Sequence, residues 1–268
     1  MSAAAALLFA GCGEASPADV VSETAEKLGE VRSGELSMRV LAAPRGERLE
    51  RGAGFTIRGP FALAAPGALP VADVDYTQIA GPNRASVGFV STGREGFLRV
   101  AGETYELGAA QERELRSAPG ASGEDDGGLE KLEIERWVRD PKLAPGGRVD
   151  GVETDRVTSG LDVVAAANGI LAVARPGSPA VEGADARQLE RAARSARLEL
   201  VTGREDRLLR SLKIDLDLAA DVPAALRTGL GPLGGARFSL VLEVAEPNRP
   251  VRVGAPRGAR PAGELPSG

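Results

Sequence analysis

Histidine is absent from this chain of 268 residues, cysteine and tryptophan each occur once, tyrosine occurs twice, and only four lysines stand beside twenty-nine arginines. Each shortage removes a class of activity. Without histidine there is no Ser-His-Asp or Cys-His nucleophile system, no imidazole zinc ligand, and none of the commonest general base near neutral pH. Only chemistry based on carboxylates or arginine stays open to an enzyme. No apolar run reaches the roughly 18–20 residues needed to cross a bilayer as a helix. A net charge of -5 and a pI near 5.2 give no basic field of the kind that binds nucleic acid. A chain of this length hides roughly three quarters of its surface on folding, so one domain with a sizeable core needs neither disulfide nor metal to staple it. Ala, Gly, Pro and Arg are abundant in the way of a GC-rich genome, and single arginines carry little functional weight.

The lone cysteine is therefore the first residue to explain. It closes an apolar stretch, Ala3 to Ala10, in the run Phe9-Ala10-Gly11-Cys12. An apolar segment followed by small residues is the tail of an export signal. Small residues before the cysteine resemble the lipobox of bacterial lipoproteins, in which a signal peptidase cuts and leaves the cysteine as the lipidated first residue. Phe9 departs from the usual Leu or Val, and no Lys or Arg precedes the stretch, which points to a start codon upstream or to a defective signal. An exposed cysteine after a chance alanine run is the plain alternative. The division expected is a signal at 1–12, a flexible tether at 13–19, a folded body at 20–253 and a disordered tail at 254–268.

In the body, Val20, Val21, Ala25 and Leu28 share one helical face, with Gly29 near the end. Leu36, Met38 and Val40 then alternate with charged and polar residues at the period of a strand with one wet face. Further strands are expected over 49–58, 72–80, 85–91, 95–100 and 104–107, joined by glycine-containing turns that favour antiparallel neighbours. A polar loop is expected at 111–128. A short helix ending at Pro141 follows, then a strand running into the Ala-rich helix before residue 175 and a second helix over 185–196. The sharpest alternation comes last. Leu212, Ile214, Leu216 and Leu218, and then Phe238, Leu240, Leu242 and Val244, line one side of two strands. A last short strand is expected at 251–253. Helices that interrupt rather than alternate with strands indicate an α+β fold, a large curved antiparallel sheet in the form of a half-open barrel, with helices over its concave face.

The stretches 137–163 (WVRDPKLAPGGRVDGVETDRVTSGLDV), REDRLLRSLKIDLDL and NRPVRVGAPRGARP resemble the actinobacterial LppX and LprG type lipoproteins, a likeness that runs from Val20 to Pro261. The resemblance implies a fold like that of the LolA and LolB carriers, whose half-barrel and helices enclose an apolar cavity for acyl chains. It implies no enzyme and no cofactor. The implied protein is an extracytoplasmic monomer that binds a lipid or glycolipid, is anchored to the membrane through Cys12, and has an envelope transporter as a possible partner. Its cavity would be lined by Leu36, Met38, Val40, Phe55, Ile57, Phe89, Leu212, Ile214, Leu216, Phe238, Leu240 and Leu242. With aromatics at 3% of residues, such walls suit flexible chains better than stacked rings. Plain core packing is the common role of an alternating strand face, and a filled interior would favour a lipid-anchored sensor or scaffold that binds another protein.

Lesser candidates follow. Glu153 and Asp155 stand two apart, as an acid and base pair or a cation site would, though the further ligands of a calcium loop are missing. The sequence GLGPLGG lacks the Lys-Ser/Thr of a phosphate loop. Its neighbourhood, with Val222, Leu226 and Leu230, is apolar enough either to pack on the body or to gate a cavity. Arg187, Arg191 and Arg194 could touch anionic lipid heads, or simply face solvent.

Overall fold

The computed structural model describes residues 15–64, 67–117, 132–174, 178–219 and 235–264. The stretch expected as a signal, with Cys12, and the gate candidates Val222, Leu226 and Leu230 lie outside these. In chain order the elements are α1 (Pro17–Glu26), β1 (Ser33–Pro44), β2 (Ala53–Ala62), β3 (Val71–Ala80), β4 (Asn83–Thr92), β5 (Gly96–Val100), β6 (Glu103–Glu106), α2 (Ala109–Ser117), β7 (Val138–Val149), β8 (Val152–Leu161), α3 (Val163–Ala174), α4 (Gly183–Ala192), β9 (Ala193–Gly203), β10 (Leu209–Leu218) and β11 (Ala236–Ala245). All eleven strands form one open sheet in the order β6-β5-β4-β3-β2-β1-β11-β10-β9-β8-β7. Every neighbouring pair is antiparallel. The expected α+β half-barrel is therefore present.

Several boundaries differ from the sequence expectation, each for a physical reason. Helix α1 begins inside the stretch read as a tether, because Ser16 and Asp19 form a reciprocal capping box and Pro17 stands at the first helical position, where its missing N–H costs nothing. The polar segment read as a loop from residue 111 opens with α2, whose Glu112 accepts a hydrogen bond from the Gly96 amide at 3.1 Å. The helix expected before Pro141 shrinks to one 3-10 turn, Ile134–Trp137. Pro141 instead sits within β7, at the sheet edge, where the register shifts between Arg139 and Lys142 and again beside Pro145. An edge strand with bulges is where a sheet tolerates proline. The second helix ends at Ala192, not at residue 196, because Ala193, Ser195 and Ala196 pair with β10. Sheet pairing overrides the helix preference of alanine there.

Residues 251–253 form no strand. The segment beyond them, expected as loose, is held against β6: Tyr105 bridges Arg260, the Glu106 amide donates to the Arg260 carbonyl at 2.8 Å, and the Arg260 amide donates to Thr104 at 2.9 Å. Both edges of the sheet are thus blunted, one by proline and bulges, the other by the chain's own C-terminal segment, which hinders edge-to-edge association.

The core lies on one face of β7 to β10. Val157 and Leu200 are fully buried there, together with Leu198, Leu212 and Ile214, against Val20 and Val21 of α1, Leu189 and Ala192 of α4, and Ala166 of α3. Trp137 anchors this layer at 2% exposure. Gly169 of α3 makes room for it, since a Cβ there would meet the indole Cζ2 at 2.8 Å. Asp162 starts α3 by accepting the Val164 and Ala165 amides at 3.1 and 3.0 Å, and it also takes a hydrogen bond from Arg139. Burial by itself raises the Asp162 carboxyl, but the backbone bond to Ala165 and the Arg139 pair outweigh it and hold the pKa below the ordinary aspartate range.

Candidate functional site

Strand register brings the apolar positions of ten strands to one level. Val100, Val87, Tyr76, Ile57, Met38, Leu242, Leu212, Leu200, Val157 and Leu143 lie directly opposite one another in succession from β5 to β7. Directly paired residues of an antiparallel sheet point to the same side, so this row is a continuous apolar ladder. A second row, Val74, Phe89, Leu98 and Tyr105, runs beside it over β3 to β6.

The two halves of the ladder have different fates. Over β7 to β10 the helices cover it, and Leu212 and Ile214 are 3% and 2% exposed. Over β3 and β4 it is open to solvent: Tyr76 is 41% and Val87 38% exposed, the large hydrophobics that stand out among the described residues. Met38, Val40, Phe55, Ile57, Phe89, Phe238 and Leu240 are half-buried between these limits. Phe55 and Tyr76 stack with ring centroids 5.7 Å apart, which stiffens the open floor.

All twelve residues read from the sequence as cavity lining therefore share one sheet face, but they do not share one environment. Leu212, Ile214 and Leu242 are buried in the packed layer under the helices, with Leu36, Met38, Leu216 and Leu240 packed against its margin. Val40, Phe55, Ile57, Phe89 and Phe238 are not among the residues of that cluster. Among the described residues, Val157, Leu198, Leu200, Leu212 and Ile214 pack beneath the helices against Val20, Val21, Ala166 and Leu189. A pocket of about 200 Å³ does open, but it is lined by Gly34, Glu35, Pro60, Glu246 and residues 249–252, away from the open apolar stripe of β3 to β5. Sequence reasoning missed Val74, Tyr76, Val87, Leu98 and Val100. Their alternation in ADVDYTQ and RASVGF was the available signal, weakened by Gly88 in the second.

The opposite face is mixed, with Val90, Phe97, Leu41 and Ile79 buried among polar and charged neighbours. There Arg99 of β5 crosses β4 to reach Asp73 and Asp75 of β3 at 2.8 and 2.9 Å. Gly88 lies beneath, where a Cβ would sit 2.6 Å from the guanidinium Nε. Hydrogen bonding to Asp75 and Asp73 raises the Arg99 pKa despite some burial.

Glu153 and Asp155 do not act as an acid and base pair. Glu153 is taken by Arg148 at 2.8 Å. Asp155 accepts from Arg207 at 2.7 Å and Arg204 at 3.0 Å, and Arg207 also reaches Glu23 of α1 at 2.7 Å. This network ties α1 to β8 and to the β9–β10 hairpin. Burial alone raises the Asp155 carboxyl, but the hydrogen bonds and charges of Arg207 and Arg204 win and lower its pKa below the ordinary aspartate value. A lowered folded-state pKa gives stability that is present above the unfolded value of about 3.9 and is lost as pH falls through the folded one. Asp155→Asn is expected to cost about 2–3 kcal/mol at neutral pH and to flatten the acid limb of a urea-denaturation series run at decreasing pH. Unchanged midpoints at neutral pH would contradict that role. Arg187, Arg191 and Arg194 are exposed on and just after α4. Among the described residues no group of three His, Cys, Asp or Glu is placed to hold a metal, and no helix is long and apolar enough to cross a membrane.

No protein-family model and no curated protein matches the chain. Among solved structures it is similar to LprF from Mycobacterium bovis, with 13% identity, a TM-score of 0.49, and coverage of 90% of this chain and 97% of that one. LppX from Mycobacterium tuberculosis also has 13% identity, with a TM-score of 0.35 and coverage of 90% and 100%. A LolA superfamily protein from Nitrosomonas europaea has 9% identity, a TM-score of 0.21 and coverage of 86% and 94%.

Proposed function

We propose that this protein is a non-enzymatic lipoprotein of the cell envelope that binds a lipid or glycolipid on the open part of its apolar ladder and assists its transfer or display. The observation that supports this reading is the exposure of Tyr76 and Val87 in the middle of an otherwise apolar row. Water on such a stripe is unfavourable by about 25 cal/mol per Å² of apolar surface, and an acyl chain in water carries the same penalty, about 0.8 kcal/mol for each methylene. Covering each with the other relieves both. Cys12 would keep the carrier at the membrane through its lipid anchor, with the head group left near the rim.

Native mass spectrometry after gentle purification tests the reading. Adducts with the mass of acyl lipids, removed by delipidation and regained on adding lipid, are the expected result. A protein that arrives free of lipid and takes up none contradicts it. One observation favours a second reading: among the described residues, α1, α3 and α4 pack closely on Val157, Leu200, Leu212 and Ile214, as the core of an anchored sensor or scaffold would. That reading expects a protein, rather than lipid, to be recovered on the open face.

A further inference from the structure

The shape of the open stripe bears on what kind of lipid it takes. On β3, β4 and β5 the stripe is two side chains wide: Val74 and Tyr76, Phe89 and Val87, Leu98 and Val100. Beyond it on one side the paired positions are Gln78 and Ala85; on the other they are the buried Ala72, Ser91 and Gly96. Two residues on the same side of a strand are about 7 Å apart. That width fits one hydrocarbon chain and not a sheaf of them.

Its length is limited as well. At one end the ladder passes from Met38 to Leu242, which is buried under the helical side. At the other end Val100 pairs with Glu103 of β6, and Glu103 forms an ion pair with Arg260 at 3.2 Å. From Met38 to Val100 there are four inter-strand steps, and to Glu103 five, or about 19 and 24 Å at ~4.8 Å each. A saturated chain advances about 1.25 Å per carbon, given C–C bonds of ~1.52 Å at near-tetrahedral angles. The stripe therefore matches about 15–19 carbons. The Arg260 guanidinium is half exposed and holds a single carboxylate, so it retains donors for an anionic head group.

Resting on the reading of this face as a lipid site, we infer that the guest is a single acyl chain of about 15–19 carbons lying across the strands. Its tail points toward the helical half, and its anionic head lies at the Arg260–Glu103 edge. The test is competitive displacement of a dansyl-labelled fatty acid from the full chain by saturated fatty acids of about ten to twenty-two carbons, with a diacyl phospholipid for comparison. Each added methylene is expected to tighten binding about fourfold until the stripe is full, and longer chains should gain nothing more. Arg260→Gln keeps the backbone bonds to β6 and should weaken every fatty acid severalfold while leaving the gain per methylene unchanged. A gain that continues past about twenty carbons, a diacyl lipid that binds as tightly per chain, or an Arg260→Gln protein of unchanged affinity each overturns the inference while the lipid reading stands. If no acyl compound binds at all, the proposed function fails with it.

Discussion

Trp137→Ala is expected to lower the free energy of unfolding by about 3–5 kcal/mol, the range for deleting a large buried aromatic side chain. At two to four degrees per kcal/mol for a chain of this size, the melting temperature should fall by roughly 10 °C. The reason is position. Trp137 is 2% exposed and fills the space over Gly169 of α3. It also belongs to the cluster that joins α1, α3 and α4 to β8, β9 and β10. Differential scanning calorimetry measures the loss directly. Because the open stripe of β3 to β5 lies on the other half of the sheet, affinity for acyl ligands at temperatures well below the transition should change little. A variant that keeps its melting temperature would remove Trp137 as the anchor of the helical layer.

The double substitution Tyr76→Glu with Val87→Glu should do the reverse. Tyr76 and Val87 pair directly across β3 and β4, and both are substantially exposed, so the main packed contact the folded state loses is the stacking of Tyr76 on Phe55. Glutamate is less favoured than tyrosine or valine in strands, and like charges opposed across a pair repel, which together cost about 1–2 kcal/mol. Binding is another matter. An acyl chain laid over two carboxylates would either desolvate them or give up its central contacts, at about 1–3 kcal/mol for each polar group left without a partner. The affinity should drop by a factor of about 30 or more, read by fatty-acid displacement, with the far-ultraviolet circular dichroism spectrum unchanged. An unaffected affinity would remove the open stripe from the binding site.

The contrast between these variants shows which parts of the molecule were legible in the sequence. The strict alternation of Leu212, Ile214 and Leu216, and of Phe238, Leu240 and Leu242, announced two strands with one dry face, and the structure places all six on the same side. What alternation could not announce is what lies above that face, because a residue in a packed layer and one in an open trough need the same apolar side chain. Only the helices decide, and α1, α3 and α4 gather over β7 to β10. Strand β9 was hidden because Ala193 to Ala196 continue the composition of α4, and their pairing with Leu216 to Leu218 is a long-range event. Pro141 read as a helix stop because proline is one locally; its place in an edge strand with an irregular register depends on partners elsewhere in the chain. The Asp155 network was likewise invisible, since Arg204, Arg207 and Glu23 reach it from distant segments.

Photo-crosslinking tests the central claim most directly. A palmitic acid carrying a diazirine near the middle of its chain, bound to the full protein and irradiated, should label peptides of β2, β3 and β4, with Ile57, Tyr76 and Val87 among the modified residues. Excess unlabelled palmitate should abolish the labelling. Label concentrated instead on α1, α3 or α4, or on Leu212 and Ile214 beneath them, would mean that the helical layer opens to take the guest and that the exposed stripe serves some other purpose.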